Sequence, residues 1–199
     1  MFCCKRKEGK CVMDDDGEDK IFSLVVLTGF RATGKTVVGR FLAELLGYQF
    51  IDTDEEIVTR MKCSIVEAVS CYGWEYFRFY EQNILEELGV QKNLVIATGG
   101  GAILHQVMWR ELCKRAFVVW LRSDLSTTLL RLERDERTVE QRPCFGEGVQ
   151  DWKTETANLL LERESLYQVG SDMFLETEDR TPEVLAGLVY RRVMQREMA

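Results

Sequence analysis

Residues 29–36 read Gly29-Phe30-Arg31-Ala32-Thr33-Gly34-Lys35-Thr36 and fit G-x-x-x-x-G-K-[ST] at every fixed position. Glycines in such a loop let backbone N–H groups turn inward around phosphates. Lys35 supplies charge for the β- and γ-phosphates, and Thr36 offers a hydroxyl to Mg²⁺. The helix that follows points its positive end at the anion. An apolar run, Ile21–Thr28, precedes the motif and an amphipathic stretch, Thr36–Gly47, follows it. That strand–loop–helix context marks a nucleotide site.

Three further groups of residues have the types needed to handle a second substrate. Asp52-Thr53-Asp54 follows a short apolar run. One carboxylate suits a position near Mg²⁺ and the other can accept from a substrate hydroxyl, although Asp54 could instead be only an N-cap. Thr98-Gly99-Gly100-Gly101 ends another apolar run, and three glycines allow backbone to approach a ligand closely while exposing N–H donors. Arg78, Arg142 and Arg163 present forks that match carboxylates and phosphates. Individually each such arginine is more often a solvated surface residue. Arg78, however, stands among Tyr76, Phe77, Phe79 and Tyr80, and Arg142 lies in a long stretch, Glu136–Trp152, with Pro143, Gly146 and Gly148. A loop of that length usually serves function.

The elements that must position these groups alternate. Strands are expected at Ile21–Thr28, Tyr48–Ile51, Leu94–Ala97, Phe117–Leu121 and Met173–Leu175. Helices are expected at Thr36–Gly47, from the Ser64/Glu67 capping box, and at Trp74–Leu88, Ala102–Cys113, Leu125–Arg134 and Asp151–Gln168. The last begins after Thr181-Pro182. Nearly all-apolar strands separated by helices mean a parallel sheet covered on both faces, a three-layer α/β domain.

Length and composition are consistent with one such domain, residues 21–199, preceded by a charged tail, residues 1–20. The chain has 199 residues, 46% of them hydrophobic and 30% charged, with a net charge of −7. These values exclude collagen-like, coiled-coil and wholly disordered classes. The acidic balance argues against nucleic acid or a membrane surface as partner, and no apolar stretch is long enough to span a bilayer. One histidine, His105, excludes His-rich zinc sites and reads as a surface helix residue. Seven cysteines without a C-x-x-C pair or an apolar leader read as reduced thiols of a cytoplasmic protein.

Taken in order, the P-loop, Asp52-Thr53-Asp54, Phe77-Arg78, Ala97-Thr98-Gly99-Gly100-Gly101, Arg142-Pro143 and Arg163-x-x-Leu166-Tyr167 resemble shikimate kinase. The likeness runs over about residues 22–195. It implies a P-loop kinase fold, with a five-stranded parallel sheet of order 2-3-1-4-5 and a mobile lid over about 136–152. It also implies transfer of the γ-phosphate of MgATP to the 3-hydroxyl of shikimate, by a monomer. The implied ATP set is Gly29, Arg31, Ala32, Thr33, Gly34, Lys35, Thr36 and Val37, with Arg131 near adenine and Arg142 reaching the γ-phosphate. Thr36 and Asp52 would hold Mg²⁺. Asp54 would meet the accepting hydroxyl as candidate base, with Lys35 and Arg142 completing the catalytic set. Arg78 and Arg163 would clamp the carboxylate, and Gly99, Gly100 and Gly101 would lie beside a hydroxyl. In this chain Cys144-Phe145 follows the lid Arg-Pro, where the family commonly has two leucines. A kinase of another small acceptor, such as gluconate or a nucleotide, shares many of these residue types. A non-catalytic nucleotide-binding regulator should have lost Lys35, Asp54 or Arg142, and all three are present.

Overall fold

Apolar side chains alternate along each inner strand toward both faces of the sheet, which forces helices onto both sides. The computed structural model describes residues 22–134 and 152–194. The expected tail, and residues 136–151 with Arg142, Pro143, Cys144 and Phe145, lie outside the described residues. Among those described, β1 (Leu24–Thr28), β2 (Gln49–Asp52), β3 (Leu94–Ala97), β4 (Phe117–Arg122) and β5 (Met173–Glu176) form one parallel sheet of order β2-β3-β1-β4-β5. Register brings Leu27 beside Ala97 and Val119, and Asp52 beside Ala97. The carboxyl ends of the inner strands therefore finish together at one edge of the sheet, where ligands of open α/β sheets bind.

One face carries Val25, Leu27, Val95, Val119 and Leu121 against Val38, Leu42 and Leu46 of α1 (Lys35–Leu46). Leu185 and Val189 of α7 (Pro182–Met194) join the same cluster. The other face carries Val26, Ile96, Val118 and Trp120. It packs on Ile84, Leu85 and Leu88 of α3 (Ile65–Leu88), on Trp109 and Leu112 of α4 (Gln106–Cys113), and on Tyr167 of α6 (Trp152–Val169). Each large aliphatic side chain so covered contributes about 1.5–3 kcal/mol. α2 (Thr53–Met61) and α5 (Leu125–Arg134) complete the covering.

Of two helical regions, one keeps the expected division and one departs from it. The capped helix opened by Ser64 and the stretch Trp74–Leu88 are two helical segments of α3 that meet at Gly73, whose φ of 83° and ψ of 168° interrupt the hydrogen-bond ladder. Ala102–Cys113, expected as one helix, is instead a 3₁₀ turn at Ala102–Leu104 followed by α4, with the break at His105 (φ −77°, ψ 65°).

Candidate active site

The phosphate-binding loop is built from backbone. Gly29 has φ 141°, and a Cβ there would collide with the Leu121 carbonyl of β4; no other residue fits. Ala32 and Gly34 also have positive φ, so the chain reverses tightly before α1. Thr33 Oγ1 donates to the Phe30 carbonyl at 2.9 Å, which pins the loop internally. Lys35 Nζ lies over the same loop, donating to the Phe30 carbonyl at 2.6 Å. Gly34 gives α1 no side-chain cap, an opening suited to an anionic ligand at the helix start. Val37, on the first turn, is 48% exposed. Arg131 of α5 braces the loop from outside. It donates to the Ala32 carbonyl (3.3 Å) and to Thr177 Oγ1 and O (2.9 Å each), tying the loop to the segment after β5.

Beside Thr36 stands Asp52. Its Oδ2 accepts from Thr36 Oγ1 at 2.6 Å, and its Oδ1 accepts from the Asp54 amide at 2.9 Å. Asp52 is therefore the N-cap of α2, which starts at Thr53. This corrects the expectation that Asp54 could be the cap: strand β2 ends two residues earlier, and Asp54 sits within the first helical turn. Its Oδ1 faces the glycine turn, 2.6 Å from where a Cβ on Gly99 would lie. Thr53 Oγ1 accepts from the Gly99 amide at 2.9 Å, locking that turn to α2.

Across the glycine turn a small cleft opens, lined by Arg31, Asp54, Trp74, Arg78, Glu81, Gly99, Gly100, Gly101 and Arg163. Arg78 pairs with Glu81 one turn on, and its guanidinium lies over the rings of Trp74 (5.4 Å) and Phe77 (5.3 Å). A Cβ on Gly101 would strike that guanidinium. Arg163 is 4% exposed, donates to the Gly100 carbonyl at 3.1 Å and lies over Phe30 of the phosphate loop. Tyr167 O–H donates to the same Gly100 carbonyl at 2.6 Å, and burial pushes its phenol far above the usual range. That hydroxyl keeps its proton.

The arrangement gathers Lys35, Thr36, Asp52, Asp54, Arg78, the three glycines and Arg163 at one edge of the sheet, and places Arg131 beside the loop. Arg163, by its sequence alone more often a surface residue, is buried. Arg142 lies outside the described residues. His105 corrects the reading of it as a surface helix residue. Its side chain is 12% exposed, and its Nε2 lies 2.9 Å from Glu81 Oε2. Because the 3₁₀ turn tightens the chain after Gly101, His105 swings inward instead of lying along a helix surface.

Glu81, 1% exposed, is the residue that sequence reasoning missed. It stands in an apolar stripe with Phe77, Ile84, Leu85 and Leu88, all buried. A carboxylate on that stripe, three residues after an arginine, was the available signal, since buried charges need partners.

The chain is similar to known proteins along most of its length. Residues 31–194 match the family model described as shikimate kinase. The shikimate kinase of Chloroherpeton thalassium is 36% identical over 162 residues, 80% of this chain and 86% of that protein. That of Xanthomonas euvesicatoria pv. vesicatoria is 36% identical over 176 residues, 88% and 94%. Among solved structures, a shikimate kinase from Acinetobacter baumannii in complex with shikimate superposes with a TM-score of 0.81 at 32% identity, covering 89% of this chain and 96% of that one. With a phosphate loop facing an arginine-lined cleft and this breadth of likeness along its length, the chain belongs to the shikimate kinase family.

Proposed function

We infer that this chain is an ATP-dependent kinase that transfers the γ-phosphate of MgATP to the 3-hydroxyl of shikimate, giving shikimate 3-phosphate. One observation carries the acceptor's identity: Arg78, Arg163, Asp54 and the Gly99–Gly101 turn line a single cleft beside the phosphate loop. Two guanidinium groups suit one carboxylate. A carboxylate and backbone donors suit hydroxyls. The acceptor they describe is a small anionic polyol.

Catalysis of phosphoryl transfer is mostly positioning and charge stabilisation. Lys35, tethered over the loop, supplies positive charge to the transferring group. Thr36 Oγ1 and Asp52 Oδ2, 2.6 Å apart, are hard oxygen donors of the kind Mg²⁺ takes. When bound there, the ion neutralises phosphate charge. Asp54 accepts the proton of the attacking hydroxyl, and Arg78 and Arg163 fix the ring by its carboxylate. Arg131 is assigned to the adenine side from its place beside the loop, and Arg142 to the γ-phosphate from its motif alone. The same reading makes the enzyme a cytoplasmic monomer with reduced thiols; among the described residues Cys63, Cys71 and Cys113 form no disulfide. Among the described residues no helix is long and apolar enough to cross a membrane.

A coupled ADP-release assay across shikimate, quinate, gluconate and nucleoside monophosphates tests the assignment. Turnover should be highest with shikimate. Preference for gluconate or a nucleotide would overturn it.

A further inference from the structure

We propose that His105 is a positioning residue of the acceptor site: it holds the Glu81 carboxylate that aims Arg78, and its protonation is linked to binding of the acceptor's carboxylate. This rests on the reading that shikimate occupies the Arg78/Arg163 cleft.

Arg78 and His105 Nε2 approach the same oxygen of Glu81, Oε2. Glu81 therefore stands between the substrate-side guanidinium and the only imidazole of the chain. His105 is also fixed to the glycine turn. The Leu104 amide donates to the Gly101 carbonyl and the His105 amide to that of Ala102, at 2.9 and 3.2 Å. The segment that brings backbone to the acceptor thus sets the distance from imidazole to Glu81.

A charge argument gives the direction. The Glu81 carboxylate is touched by Arg78 of its own helix. Asp54 of α2, Arg163 of α6 and Arg31 of the phosphate loop line the same cleft, and Tyr167 of α6 feels the charges of Glu81, Arg31 and Arg163. An acceptor carboxylate adds one negative charge to this cluster, and a protonated His105 adds one positive charge. With the His105 side chain 12% and that of Glu81 1% exposed, little water screens this pair, and the two added charges attract. Acceptor binding therefore favours the protonated imidazole. By reciprocity, the protonated imidazole favours the acceptor by the same factor. A protonated His105 also draws on Glu81 more strongly, leaving Arg78 freer to meet the acceptor.

Because there is one histidine, long-range ¹H–¹⁵N spectra of ¹⁵N-labelled enzyme report it alone. The titration midpoint of His105 should rise by about one pH unit at saturating shikimate, and KM for shikimate should be about tenfold lower on the acid side of that transition than on the alkaline side. KM for MgATP should show no such step. His105→Gln keeps an amide donor but cannot titrate in this range. In that variant KM for shikimate should be flat with pH, and kcat at saturating shikimate should stay within about twofold of wild type. Shikimate that binds without moving the midpoint would overturn the linkage and leave the kinase assignment standing. A wild-type KM profile retained in His105→Gln would do the same. Failure of shikimate to bind at all would overturn both. The titration uses unmodified enzyme, so it decides the matter even if the variant folds poorly.

Discussion

The two halves of the proposed site, one assigned to phosphate and one to the acceptor, are made in different ways. The phosphate half is contiguous: residues 29–36, six between β1 and α1 and the first two of α1, supply it, mostly as backbone, and its geometry follows from positive φ at Gly29, Ala32 and Gly34. The acceptor half is assembled from α2, α3, the glycine turn and α6, and its working parts are side chains packed on one another. Arg78 is held by Glu81 and two rings, and Arg163 by the Gly100 carbonyl and Phe30. A backbone cradle serves any nucleoside triphosphate. A packed set of charged side chains discriminates, because each buried polar group must find its partner on the substrate.

The largest expected effect is on the phosphate half. Lys35→Ala should lower kcat by on the order of 10³-fold, the upper range for loss of one charge-stabilising donor, with circular dichroism unchanged. Near-normal turnover in a folded variant would mean that Lys35 does not serve the transferring phosphate. Asp54→Asn follows, on the border between the halves. Asp52 is the cap of α2, so Asn at position 54 leaves the cap intact and the melting temperature should hold. kcat should nonetheless fall by about 10²-fold or more, the contribution of a positioned base. An unchanged kcat/KM would remove Asp54 from the proton path.

Arg78→Ala and Arg163→Ala should break the acceptor half alone, each weakening shikimate binding by about 2–3 kcal/mol with nucleotide affinity little changed. The comparison predicts a further difference between them. Arg163 is anchored to the Gly100 carbonyl, to Tyr167 and over Phe30, so its loss strands no buried charge. Arg78 is anchored to Glu81, and its loss leaves a buried carboxylate facing His105 alone of the two. Arg78→Ala should therefore also lower thermal stability, and Arg163→Ala should do so less. Loss of ATP binding in either variant with shikimate affinity intact would contradict the division into halves.

The same contrast explains what was legible in the sequence. The strand order followed from the resemblance, and the short apolar runs placed β1 to β5 within a few residues, because strands buried on both faces admit few polar residues. The phosphate loop was legible to the residue, since its chemistry is local. The acceptor half was legible only as residue types. Nothing in one dimension says that the 3₁₀ turn after Gly101 carries His105 inward to Glu81, or that β2 gives way to helix at Thr53 and makes Asp52 the cap. The first depends on a contact 24 residues apart in sequence, and the second on where the pairing of β2 with the distant β3 ends. Glu81 was hidden for another reason: on an otherwise amphipathic helix a single carboxylate reads as solvated until its neighbours are shown to be buried.

The smallest effect sharpens the comparison from the outside. Ser64 opens α3 with a complete capping box: its hydroxyl accepts from the Glu67 amide at 3.1 Å, while Glu67 Oε2 accepts from the Ser64 amide at 2.8 Å. Hydrogen bonds from the Ser64 amide and hydroxyl hold the Glu67 carboxyl below the usual carboxylate range. A depressed folded-state value means stability that is present above the unfolded carboxylate range and lost as pH falls through the folded one. Ser64→Ala should remove about 1 kcal/mol and lower the melting temperature by about 2–4 °C. The deficit should be larger at neutral pH than in acid, where the protonated carboxyl has already weakened the box. Yet Arg78 and Glu81 lie beyond the break at Gly73, on the second segment of α3, and are held there by ring stacking and the glycine turn. The KM for shikimate should therefore stay within about twofold of wild type. A KM that rose in step with the loss of stability would mean that the clamp depends on the integrity of the whole helix, and the acceptor half would not be set by its side-chain packing alone.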